Sequence, residues 1–152
     1  MLLNQTLGVV TTSFGLIKAN SEQAACAFRE WQNQILANYG FSLQHSEING
    51  DLDSILKKLF PLTSPILTRY LFVPTLSEWT MYFDNGWQGS DAASVMSVLS
   101  KLMQTQSMRI TCAPHTMPKK IKYESNGQFG ANILEVYDAN GDVGRSIFAA
   151  ND

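Results

Sequence analysis

The side chains best suited to metal binding or nucleophilic chemistry are His45, His115, Cys26 and Cys112. Most of the chain separates the two histidines, and no Cys-x-x-Cys, His-x-His or His-Glu-x-x-His spacing occurs, so no metal site is expected. Cys112 and His115 lie close in sequence, and Asp84 or Asp91 could orient an imidazole. That set would make a small hydrolase or transferase using His115 with Asp84 or Asp91. Strand geometry opposes the cysteine's part in it, because side chains three apart along a strand point to opposite faces, and Pro114 intervenes. No Gly-x-Ser-x-Gly elbow is present. Glu78, Asp84 and Asp91 are neighbours in sequence, but a glycosidase needs two acids converging in a cleft. Asp138, Asn140 and Asp142 alternate as in a calcium loop, yet Gly141 and Phe148 stand where an EF-hand does not want them. The turn Asp84 to Ser90 joins a strand to a helix, as a phosphate cradle does. It lacks the P-loop lysine, and Asp84 and Asp91 would repel an anion. No catalytic residue, metal or cofactor is assigned.

The turn belongs to the most informative stretch of the chain, Ser77 to Asp91, where Trp79, Tyr82, Phe83 and Trp87 accompany Asp84, Asn85 and Asp91. It can be read as a core strand running into a helix cap. In a plain alternation, Trp79, Met81 and Phe83 face inward and Thr80, Tyr82 and Asp84 face outward. It can also be a recognition surface built from Tyr82, Asp84, Asn85, Trp87 and Asp91. Trp and Tyr recur at binding hot spots because they bury much area for little lost rotamer freedom. Trp87 stands out, because it sits between turn glycines, where a core contact is hard to arrange.

The elements that would position these residues follow from periodicity. Leu7 to Lys18 reads as a strand, with a break near Ser13 to Gly15. Asn20 or Ser21 caps a helix whose stripe is Ala24, Phe28, Trp31 and Ile35, and Gly40 ends it. Phe41 to Ser46 reads as a second strand. Asn49-Gly50-Asp51 opens a short helix with Leu52, Ile55, Leu56, Leu59 and Phe60 on one face, stopped by Pro61 and Pro65. Ile66 to Val73 and Glu78 to Phe83 form an antiparallel strand pair. Ser90 or Asp91 caps a third helix with Ala92, Val95, Met96, Leu99, Leu102 and Met103 inward. Met108 to Ala113 is a half-buried strand, residues 114 to 127 a loop, and Phe129 to Tyr137 with Val143 to Ala149 a hairpin turned by Asn140-Gly141. The order β-α-β-α-β-β-α-β-β-β predicts one α+β domain over residues 1–152. It has a mixed or mainly antiparallel sheet of about six to seven strands with three helices packed on it.

Composition narrows the classes. At 152 residues and 45% hydrophobic content the chain can bury a real core. A formal net charge of −2 gives no basic face for nucleic acid, and the densest basic run, Lys119, Lys120 and Lys122, reads as a solvated loop. The charged fraction of 16% leaves neutral surface for a partner. Two cysteines do not make a disulfide framework, and both read as buried free thiols. Neither a signal peptide nor a membrane span is expected, which suits a cytoplasmic protein. The hairpin from 129 to 149 would leave an open edge, so a homodimer paired there is a further possibility.

Tyr70 to Thr75, Glu78 to Trp87 and Arg145 to Asp152, together roughly the second half of the chain, resemble small uncharacterised bacterial proteins, some of them similar to immunity proteins of contact-dependent toxin systems. The resemblance implies a non-catalytic binding protein that covers a toxin's active site or a neighbouring surface. It also implies a further Trp-containing strand and a helix beyond Asn151-Asp152. It supplies no site residues.

Overall fold

The computed structural model describes residues 7–64, 66–87, 92–117 and 127–150. The chain folds as one α+β unit around a six-stranded, wholly antiparallel sheet. The strands are β1 (Ser13–Ile17), β2 (Tyr70–Pro74), β3 (Thr80–Asp84), β4 (Ser107–Ala113), β5 (Ala131–Tyr137) and β6 (Val143–Ala150), in spatial order β2-β3-β1-β4-β5-β6. The helices are α1 (Gly8–Thr11), α2 (Ser21–Leu36), α3 (Leu52–Leu56) and α4 (Ala93–Met103). Short 3-10 turns extend α2 through Ala37–Tyr39 and α3 through Lys57–Leu59. No helix among the described residues is long and apolar enough to cross a membrane.

Adjacent strand residues point to opposite faces, and here both faces of the central strands are covered. On one, Ile17 and Tyr82 pack with Ala24 and Phe28 of α2, with Val95, Met96 and Leu99 of α4, and with Tyr137. On the other, Phe14 and Phe83 pack with Leu7 and Val10 at α1 and with Leu56 and Leu59 at α3. The expected alternation therefore fails in β3. Thr80, Tyr82 and Asp84, expected outward, are buried as completely as Phe83.

Other departures have local causes. Leu7 to Lys18 splits into α1 and β1, because the Thr11 and Thr12 hydroxyls donate back to the Leu7 and Gly8 carbonyls and hold a helical turn. Phe41 to Ser46 is irregular and joins no ladder among the described strands; the Leu43 amide donates instead to the Asn33 side chain at 2.8 Å. The strand expected from Ile66 begins at Tyr70, because Asn85 engages the backbone of Thr68 and Arg69. Asn20, one of the two expected candidates, caps α2, and Asp51, within the expected opening Asn49-Gly50-Asp51, caps α3. The proposed caps Ser90 and Asp91, and the basic run at 119 to 122, lie outside the described residues. Cys26 and Cys112 are free but only half-buried.

β6 closes one end of the sheet. It pairs only with β5 among the described strands, and all eight of its residues are exposed, Val143, Ile147 and Phe148 included.

Candidate functional site

β3 delivers the aromatic stretch into the turn. Its neighbour β2 pairs with it in the register Tyr70↔Asp84 to Pro74↔Thr80. Leaving the sheet, the chain must satisfy polar groups carried into the interior, and it does so within a few residues. Asp84 accepts from the Gly86 amide at 2.9 Å and from the Tyr82 hydroxyl at 3.3 Å. The Asn85 side chain accepts from the amides of Thr68 at 3.0 Å and Arg69 at 3.1 Å. It donates to the Pro61 carbonyl at 3.1 Å and the Thr68 hydroxyl at 3.0 Å. An amide offers two donors and two lone pairs, and Asn85 uses all four.

These bonds tie the turn to the segment from Pro61 to Arg69. Thr63 donates its amide to the Asn85 carbonyl at 2.8 Å and accepts from the Trp87 amide at 3.0 Å, and Thr63 and Gly86 form a parallel bridge. Trp87 is thereby fixed by its backbone while its side chain stays 56% exposed. Ile66, on the segment that the turn braces, and Phe60, just before it, are exposed as well.

The five-residue surface expected from the sequence is therefore not formed as expected. Tyr82, Asp84 and Asn85 are fully buried, because helices cover both faces of β3 and because the polar side chains are consumed in bracing the turn. They carry the turn and do not present a surface. Trp87 alone of the described four is exposed, and Asp91 lies outside the described residues. Phe60 and Ile66, which are also exposed, were not singled out from the sequence. The signal was present in Asn85, whose type suits a side-chain clamp on a loop.

Burial raises the Tyr70 phenol above its ordinary value, and the charge of Asp84 adds to the effect. Tyr70 donates to the Leu67 carbonyl at 3.0 Å.

The grouping of His115 with Asp84 does not assemble, and the alternative partner Asp91 lies outside the described residues. His115 is exposed, accepts from the Gly130 amide through Nδ1 at 3.3 Å, and stacks edge-on against Phe129. Asp84 is sealed in the interior, two strands away from β4, with β1 between them. Cys112 sits within β4 opposite Asn132. Among the described residues, no three His, Cys, Asp or Glu side chains converge as a metal set. No family model, curated protein or solved structure matches this chain.

Proposed function

We propose that this protein is a non-catalytic protein-binding module of the toxin-immunity type, acting in the cytoplasm by direct contact with a cognate toxin, with Trp87 as the anchor of that contact. The observation that carries the reading is an indole more than half exposed on a turn that buried bonds hold rigid. A large aromatic held ready in solvent loses little freedom on binding, which is the physical character of a hot spot.

The test has two steps. The partner captured by the tagged protein is expressed alone, where it should arrest growth of a host cell, and then together with this chain, where growth should return. Trp87→Ala should weaken the purified complex by about 2 kcal/mol or more, while the melting temperature stays put because the indole is mostly outside the core. A large fall in melting temperature with unchanged affinity would make Trp87 structural and end the reading.

One observation favours a second reading. β6 presents eight exposed residues on an open edge, and such edges pair with their like. A homodimer joined there would show twice the chain mass in light scattering, and Ile147→Lys would return it to monomer.

A further inference from the structure

A second site lies away from Trp87 and does not depend on its role. Between α2, the segment from Leu43 to Ile48, the end of α3 and edge strand β2 is a cavity of about 390 Å³. That volume lies within the range of small-molecule sites, roughly 300–1,000 Å³. Phe28, Tyr70, Phe72 and Leu59 contribute aromatic and aliphatic walls. Phe28 is a hub, with its ring centroid 4.7 Å from that of Tyr70 and 5.4 Å from that of Phe72.

The charge around this cavity is one-sided. Arg29, Lys58 and Arg69 all line it, and so does His45, but no Asp or Glu among the described residues does. Three of the chain's 11 lysines and arginines thus meet at one cavity in a protein whose formal net charge is −2. None of the three has a carboxylate partner among the described residues, whose ion pairs are Lys18–Glu78, Lys57–Asp53 and Arg109–Glu135. Arg69 is held in place by bonds from Nη1 to the Lys58 and Phe60 carbonyls, and its other side-chain donors have no partner among the described residues. Glu22 and Glu47 line an adjoining cavity farther along β2, so the polarity runs along the groove and would orient a charged guest.

We propose that this cavity binds a small organic anion with a flat, apolar body: the body lies against the half-buried rings of Tyr70 and Phe72, which Phe28 backs from the core, and a carboxylate, sulfonate or phosphate group meets Arg29, Lys58 and Arg69. Guanidinium groups suit such oxyanions because they offer paired donors in a plane. The Tyr70 phenol, which stays protonated, adds no opposing charge.

Two fluorescent dyes test this on the intact chain. Anilinonaphthalene sulfonate carries the anion and the flat body; phenylnaphthylamine has the body alone. The anionic dye should bind saturably at one site per chain, and at least about tenfold more tightly than the neutral one. Arg29→Gln and Arg69→Gln should each weaken the anionic dye by about tenfold and leave the neutral dye unchanged. Arg29 has no hydrogen bond or ion pair among the described residues, so its variant keeps the test sound if Arg69→Gln disturbs the fold. Lys101→Gln, on the exposed side of α4, should change neither affinity. Equal affinity for the two dyes, or indifference to Arg29→Gln, would overturn the proposal. So would displacement of the dye by inorganic phosphate at equal concentration, which would mark a bare anion site.

Discussion

Asn85 is the residue on which the turn stands, and replacing it tests the account most directly. Asn85→Ala removes two accepted and two donated hydrogen bonds at 3.0 to 3.1 Å. At about 1 kcal/mol net for each bond the loss approaches 4 kcal/mol. Pro61, Thr68 and Arg69 are exposed residues, so water recovers part of their bonding once the amide is gone. The expected cost is then about 3 kcal/mol. In a chain of 152 residues that lowers the melting temperature by roughly 6 to 12 °C. Asn85→Asp has the same shape and keeps both accepted bonds, but it sets a carboxylate oxygen against the Pro61 carbonyl in a fully buried position. It should therefore cost at least as much as alanine. Urea unfolding followed by circular dichroism gives the global figure. Hydrogen exchange at the Thr68 and Arg69 amides reports whether the braced segment detaches on its own. If both variants cost less than about 1 kcal/mol and those amides exchange no faster, Asn85 does not hold the turn, and Trp87 loses its rigid mount.

Two further predictions concern the scaffold and its titration. Gly15→Ala should destabilise by about 1–3 kcal/mol, because a Cβ there would lie 2.6 Å from the Sδ of fully buried Met96. In a Met96→Ala background the same change should cost less than half as much; an undiminished penalty would rule out that contact as the cause. The raised Tyr70 phenol keeps its proton where the unfolded chain has lost it. Its contribution is therefore fully present below about pH 10 and is lost as pH climbs through the higher value of the folded state. Urea midpoints against pH should fall less steeply above that point for Tyr70→Phe than for the wild type, and parallel profiles would contradict the burial account.

Elements with a strong local signature were legible in the sequence. The stripe of α2 as far as Trp31, the apolar face of α4 apart from Leu102, the capping of α2 and α3 and the Asn140-Gly141 hairpin were readable because each is fixed by neighbours in sequence, whereas Ile35 and Leu102, expected inward, are exposed. Errors arose where tertiary contacts decide. Phe41 to Ser46 has strand composition, but a strand needs a ladder partner, and the Leu43 amide bonds to α2 instead. The alternation of β3 was read as one face in and one face out, which describes a sheet covered on one side. Phe28 of α2 and Val95, Met96 and Leu99 of α4 cover the side of Tyr82 here, and nothing in the sequence of β3 itself reveals them. The same gap misplaced the candidate surface. Aromatic and acidic residues beside a turn look alike whether they serve the core or a partner, and only the second covered face separates Tyr82 from Trp87.

That separation argues for a division of labour within four consecutive residues. Asp84 and Asn85 are polar groups carried into the interior, a costly placement unless every bond is made. Their bonds to Tyr82, Gly86, Pro61, Thr68 and Arg69 tie the turn to β3 and to the segment beside it. An apolar pair at these positions would serve the core as well without that demand. What the polar pair adds is a fixed direction for the chain at Trp87, whose amide is bonded to Thr63 while its side chain remains in solvent. Rigidity imposed on an exposed indole contributes nothing to folding on its own. It matters when the indole has to meet another surface without first being ordered, and in the proposed binding role that is what the buried Asp84 and Asn85 supply to Trp87.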